Sequence, residues 1–143
     1  MAERADWNAR IIEEFRGNAG VVGGPFAGVP LVLVHHVGRR SGQERVAPLA
    51  CLPAADGDAV YIFASKGGAA TNPDWYANLM AAGHATVERG TETYPVTVIE
   101  VTGAERDSAY AEQSRRVPMF AEYAAKTAGV RDIPVLRLDR AAS

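Results

Sequence analysis

The run Val29-Pro30-Leu31-Val32-Leu33-Val34-His35-His36-Val37, the polar turn Gly38-Arg39-Arg40-Ser41-Gly42-Gln43-Glu44-Arg45 and the second run Val46-Ala47-Pro48-Leu49-Ala50-Cys51-Leu52 decide the fold. Branched residues dominate the first run, and Pro30 falls near its start, where a missing N–H costs least. Two apolar runs joined by a short polar loop predict an antiparallel hairpin rather than a crossover through a helix.

Working outward, a turn at Ala55-Asp56-Gly57-Asp58 leads to a third strand over 59–64. The chain then reads Ser65-Lys66-Gly67-Gly68 and, after a short loop, Asn72-Pro73-Asp74, a helix-start signature. That helix carries Trp75, Tyr76, Leu79 and Met80 and stops at Gly83, a residue suited to the left-handed C′ position. Two more strands are expected over 85–89 and 93–102, turning at Gly90. Apolar residues on both faces of 94–99 suit a central strand or a barrel wall. Helical character over 104–117 is interrupted by Pro118 and continues over 119–128, and a last strand covers 133–138. Before all of these, Trp7, Ile11, Ile12 and Phe15 recur at helical spacing over 3–16, with Glu3, Arg4, Arg10, Glu13 and Glu14 on the other faces. This amphipathic helix covers an open side of the core, lids a site or touches a membrane surface. Strands joined by turns exclude a doubly wound parallel sheet. They favour an α+β, mainly β architecture: a barrel of about six mostly antiparallel strands with peripheral helices.

At 143 residues and 15.2 kDa the chain suits one domain, 1–143, with its barrel over about 29–138, and its 48% hydrophobic content can fill a core without staples. A net charge of −2 gives no general attraction to nucleic acid or anionic membrane, so any positive site must be local. Cys51 is the only cysteine, which excludes an internal disulfide and suits a reducing cytoplasm. No apolar run approaches the roughly 18 residues that span a bilayer, and the charged N-terminal segment does not resemble a signal peptide. Zinc-binding cysteine pairs, Walker loops and His-Glu-x-x-His are absent from the sequence, and adjacent His35 and His36 point to opposite faces of a strand, so no metal is expected.

What chemistry remains is basic and aromatic. Arg39, Arg40 and Arg45 surround one turn. Lys66, one of only two lysines with Lys126, stands at a strand-loop-helix junction able to hold an anion. The four cations are expected on one rim of the barrel, where guanidinium groups suit phosphate or carboxylate. Trp75, Tyr76, Phe120 and Tyr123 are core aromatics or the walls of a slot for a flat molecule.

The segments 38–49, 64–68 and 72–79 together resemble the deazaflavin-dependent nitroreductase family, split β-barrel flavin and deazaflavin oxidoreductases of actinobacteria, over roughly 10–138. The resemblance implies binding of coenzyme F-420, whose deazaflavin head carries a phosphodiester and a polyglutamate tail. It implies Arg40, Ser41 and Arg45 on the anionic tail, with Arg39 beside them, and Val46, Pro48, Leu49 and Ala50 along the cofactor. Ala64, Ser65 and Lys66 are implied against its phosphate or ring, and Asp74, Trp75, Tyr76 and Asn78 complete the pocket. It further implies hydride transfer from the reduced deazaflavin to a planar, hydrophobic, electron-poor acceptor: an unsaturated lactone, a quinone or a nitroaromatic. Phe120 and Tyr123 are implied at the substrate, and Tyr123 and Ser65 are the candidate catalytic hydroxyls. Phe120 and Ala50 stand where some family members carry tyrosines, which bears on acceptor choice more than on cofactor binding. A non-catalytic F-420 carrier and a flavin mononucleotide enzyme on a related barrel stay open as alternatives, as do the oligomeric state and a peripheral membrane contact.

Overall fold

The computed structural model describes residues 2–23 and 28–141, residues 2–7 and 67 by their backbone alone. Its elements are α1 (Ala2–Gly17), β1 (Leu31–Val37), β2 (Glu44–Pro53), β3 (Val60–Phe63), α2 (Asp74–Ala82), β4 (His84–Arg89), β5 (Glu92–Val101), α3 (Gly103–Arg116), α4 (Met119–Thr127) and β6 (Val135–Arg140). The strands close into a barrel in the order β1-β2-β3-β6-β5-β4. Every pairing is antiparallel; β1–β2, β2–β3 and β4–β5 are hairpins, whereas β1–β4, β3–β6 and β5–β6 join strands distant in sequence and close the ring. The hairpin that decided the fold runs in register from Leu31 opposite Ala50 to Val37 opposite Glu44, and β1 closes on β4 with Val34 opposite Val87.

Period-two alternation sorts the strand residues into three apolar clusters. Val32 and Val34 of β1 point into the barrel with Ile62, Val87, Val96, Val98, Leu136 and Leu138, and Trp75 and Leu79 of α2 join this interior cluster. Outside, Leu31 and Leu33 bury Ile11 and Phe15 of α1, which therefore packs against the β1 face. The expected stripe residue Trp7 has a side chain outside the described residues. On another outer face Leu52, Phe63, Val101 and Val135 meet Ala109 and Tyr110 of α3 and Phe120 of α4, with Phe63, Tyr110 and Phe120 stacked edge to face.

The α2 helix ends as expected. Gly83 takes φ +76° and returns its N–H to the Leu79 carbonyl at 2.7 Å. Its start differs in detail, because Pro73 caps without a side-chain hydrogen bond and Asn72 is used elsewhere. Other boundaries move as well: β1 begins at Leu31 rather than at 29, leaving the Pro30 carbonyl to accept from Cys51, β6 covers Val135–Arg140 rather than 133–138, and Lys66–Gly68 forms a single 3-10 turn where an open loop was expected. Among the described residues no helix is long and apolar enough to cross a membrane.

Candidate functional site

Two cavities meet at the first turn of α2. One, of about 260 Å³, is an apolar cleft between β2 and α4, lined by Val29, Pro48, Leu49, Ala50, Phe63, Ser65, Lys66, Trp75, Val117, Met119, Phe120 and Tyr123. The other, of about 230 Å³, is polar and is lined by Gly38, Arg39, Arg40, Ser41, Arg45, Asp74 and Asn78. Asp74 and Trp75 are consecutive, so the exposed start of α2 faces the polar pocket with one residue and the cleft with the next.

Polar pocket and arginine turn have a common origin in the β1–β2 hairpin. Gly38 receives the Gly42 N–H and donates to the Gln43 carbonyl, which folds the loop back and presents Arg39 and Arg40 on its rim. Asn78, 4% exposed, holds that rim: its Oδ1 accepts from the Arg39 backbone N–H at 3.1 Å and from the Arg39 guanidinium at 2.9 Å. Among the described residues Arg16, Arg106, Arg115, Arg116, Arg137 and Arg140 each bridge to a carboxylate, whereas Arg39, Arg40 and Arg45 bridge to none. Their charge stays available to a ligand, with Asp74 the one acid on the pocket wall.

The cleft owes its shape to a loop under constraint. Lys66 sits at φ +48°, a left-handed conformation that costs a side-chain-bearing residue of order 1 kcal/mol or more. Arg131, just beyond α4, holds the loop in place by donating to the carbonyls of Ala64, Ser65 and Ala69 and to Asn72 Oδ1. Gly68, at φ +84°, lets α4 approach; a Cβ there would lie 3.1 Å from Lys126 Cδ and 3.4 Å from Tyr123 Cα. On the opposite wall Phe120 and Tyr123 pack edge to face at 5.3 Å, and the Tyr123 hydroxyl donates to Met119 Sδ at 3.2 Å. Ser65 is buried on the floor.

The expected residues therefore divide. Arg39, Arg40, Ser41, Arg45, Asp74 and Asn78 come together in the polar pocket, and Pro48, Leu49, Ala50, Ser65, Lys66, Trp75, Phe120 and Tyr123 in the cleft. Lys66 lines the cleft, apart from the arginines it was expected to join on one rim, because the 3-10 turn carries it toward α4. Three residues line neither cavity. Val46 lies on the outer face with α1, Ala64 is fully buried and contributes its carbonyl to Arg131, and Tyr76 turns to Glu100, donating at 2.5 Å. Sequence reasoning passed over Arg131, Val29, Phe63, Val117 and Met119. Arg131 lies 59 to 67 residues from the groups it holds, and no local pattern marks such a clamp.

The pair of cavities suits a ligand with an anionic part and a flat apolar part. The description of the F420H2-dependent quinone reductase family matches residues 7–139. The F420H2-dependent quinone reductase Rv1261c of Mycobacterium tuberculosis is 34% identical over 130 residues, 88% of this chain and 85% of that protein. A solved F420-H2 dependent reductase, FDR-A, superposes with a TM-score of 0.67 at 34% identity over 77% of this chain and 94% of its own. At 13% identity the heme storage protein HutZ of Vibrio cholerae shares the fold, with a TM-score of 0.58 over 95% of this chain and 92% of its own. The chain belongs to the F420H2-dependent quinone reductases, a family of oxidoreductases whose cofactor is coenzyme F-420.

Proposed function

We propose that this chain reduces quinones with reduced coenzyme F-420, the phosphodiester and glutamate tail lying in the arginine pocket and the deazaflavin against the apolar cleft. One observation carries the reading: the start of α2 joins a pocket of three arginines, without bridging carboxylates among the described residues, to an apolar cleft walled by aromatic rings. The residues present fit such a ligand in charge and in shape.

When bound, the reduced cofactor supplies a hydride from C5 of its deazaflavin. The chain's part is to bind, orient and exclude water. Arg39, Arg40 and Arg45 hold the anions, and their planar forks suit phosphate and carboxylate oxygens. Trp75, Pro48 and Leu49 align the planes, which matters because hydride transfer requires close, aligned approach. Val117, Met119, Phe63 and Phe120 make the cleft dry. Tyr123 and Ser65 place hydroxyls on its walls, within the space where a reduced acceptor needs a proton.

Quinones come first among the acceptors. Unsaturated lactones of the coumarin type and nitroaromatics share their flatness and electron deficiency and form the second group to test. We place the reaction in the cytoplasm, with a small hydrophobic acceptor as the partner and no nucleic acid.

Titration of the purified protein with F-420 and with flavin mononucleotide, followed by fluorescence, tests the cofactor, and anaerobic oxidation of F420H2 by a menadione-type quinone tests the turnover. Micromolar or tighter F-420 binding and quinone-dependent oxidation are expected. Exclusive flavin mononucleotide binding overturns the reading. F-420 binding without turnover across quinones, lactones and nitroaromatics replaces it with a carrier.

A further inference from the structure

His36 lies in the barrel mouth, 7% exposed, on the inward face of β1 and opposite Arg45 of β2. Its Nδ1 is 3.0 Å from Asn78 Nδ2. The Asn78 amide is committed at its other end, where Oδ1 accepts from both the backbone N–H and the guanidinium of Arg39. Turning the amide over would set its NH2 against two donors, so Nδ2 must face His36 and must donate. The imidazole must then offer a lone pair at Nδ1, which only the neutral ring with its proton on Nε2 can do.

We propose that His36 is a positioning residue for cofactor binding: as a neutral acceptor it locks the one orientation of Asn78 that fastens Arg39, and with it the arginine turn, to α2. The proposal rests on the reading that the arginine pocket holds the tail of F-420.

The surroundings keep the ring in that state. Burial, and then the positive Arg45 across the strand pair and the neighbouring His35, disfavour a second proton on His36, and only Asp74 of α2 favours one; the net direction of the pKa is down from 6.5. A protonated ring would turn its Nδ1–H against the Asn78 NH2 and release Arg39. The arginine turn thus answers to a histidine that touches no ligand.

Three variants and three readouts test this. Without cofactor, the imidazole nitrogen shifts of the wild type should show an unprotonated Nδ1 at neutral pH, and the Arg39 amide should exchange slowly with solvent. His36→Leu should speed that exchange and weaken F-420 binding about five- to tenfold, the scale of one lost buried hydrogen bond. His36→Asn, whose Oδ1 can stand where Nδ1 stood, should restore both. As pH is lowered from neutrality, wild-type affinity should fall in a step below the ordinary imidazole range, and His36→Asn should lack that step, which separates it from titration of the tail itself. Asn78→Asp keeps Arg39 fastened and gives the ring a carboxylate that accepts its proton, so the imidazole pKa read from the nitrogen shifts should rise while the affinity step disappears. Equal Arg39 exchange in wild type and His36→Leu, a protonated Nδ1 at neutral pH or the same acid step in His36→Asn overturns the proposal. Should His36→Leu fail to fold, the nitrogen shifts and Asn78→Asp decide it. Failure of the wild type to bind F-420 at neutral pH overturns the functional reading instead, and the exchange data then judge the relay alone.

Discussion

The arginines of the β1–β2 turn and those on β6 and α3 are the same side chain in opposite circumstances. Arg137 lies between Asp139 and Glu105, Arg140 between Asp58 and Glu92, and Arg115 and Arg116 share Glu112. Arg39, Arg40 and Arg45 have no such carboxylate among the described residues, although the chain as a whole is acidic, at −2. A paired guanidinium ties elements together and shows solvent little net charge, whereas an unpaired one keeps its charge for whatever enters the pocket. Removing the first kind should therefore cost stability, and removing the second should cost binding.

The largest effect expected from this contrast falls on the cofactor. Arg45→Ala and Arg40→Ala should each weaken F-420 binding about 10- to 100-fold, the range for a charge-assisted hydrogen bond of about 1.5–3 kcal/mol, and should flatten its dependence on salt. Arg137→Ala should leave that affinity within about twofold while lowering the melting temperature slightly, since exposed pairs contribute about 1 kcal/mol or less. Fluorescence titration and thermal unfolding on the three variants read both quantities. Equal loss of affinity at Arg137 and Arg45 would break the contrast.

Arg131 sharpens it, being a third kind of arginine that holds backbone rather than carboxylate or ligand. Arg131→Met removes the donors to three carbonyls and to Asn72, and it frees Lys66 to leave φ +48°. The expected cost is about 1–2 kcal/mol of stability together with slower turnover, because Ser65 and Lys66 form part of the cleft. Arg131→Lys should not rescue it, since an ammonium cannot span acceptors that a planar fork reaches together. Unchanged turnover in a destabilised Arg131→Met would confine the clamp to folding.

These residues also mark where sequence reading stopped. Strand runs, turn residues and the Gly83 terminator are local signals, and three of the six strand pairings followed from them as hairpins between chain neighbours, while the pairings that close the ring join strands far apart in sequence. The arginine turn was equally visible, its three cations lying within seven residues. What stayed hidden depends on which way a helix faces and on contacts far apart in sequence. Trp75 and Tyr76 look alike as a pair, yet one lines the cleft and the other turns away to Glu100. Lys66 belongs with α4 rather than with the arginines because a 3-10 turn replaces an open loop. The alternation that set His35 and His36 on opposite faces was legible, but the Asn78 partner of one and the glutamate partners of the other were not.

A smaller effect should separate the cleft from the pocket. Among the described residues the Tyr123 hydroxyl bonds to no charged group; it donates to a thioether, a weak acceptor that an acceptor oxygen can displace. Tyr123→Phe should leave F-420 affinity unchanged and lower kcat for a quinone about tenfold, below the roughly 100-fold that a general acid usually contributes because water and Ser65 can substitute. A drop below about twofold would assign the proton to those substitutes. A loss of F-420 affinity would show that the Tyr123 hydroxyl also holds the deazaflavin, which lies against the same cleft.

The smallest expected effect lies wholly among paired charges. His35 sets Nδ1 2.9 Å from Glu44 and Nε2 2.7 Å from Glu88, and Glu88 also receives Arg16 from α1. Both ring nitrogens can donate only in the imidazolium. Burial opposes that charge, but the hydrogen bonds to Glu44 and Glu88 outweigh it, so the pKa rises above 6.5. The stability this histidine contributes is therefore complete below that value and is lost as pH rises through the folded-state pKa. Glu88 runs the other way. The Arg16 hydrogen bond, opposed by burial and aided by His35, lowers its pKa from 4.5, and its contribution disappears as pH falls through the lowered value. Thermal unfolding should thus show a plateau below the ordinary imidazole value and a decline as pH rises above it, worth roughly 1 kcal/mol or less, Glu44 being mostly exposed. His35→Gln should remove the decline without touching F-420 affinity. Affinity that followed the same slope would mean that the charges tied into the fold also govern the pocket, and the separation between paired and unpaired charge would fail where it is easiest to measure.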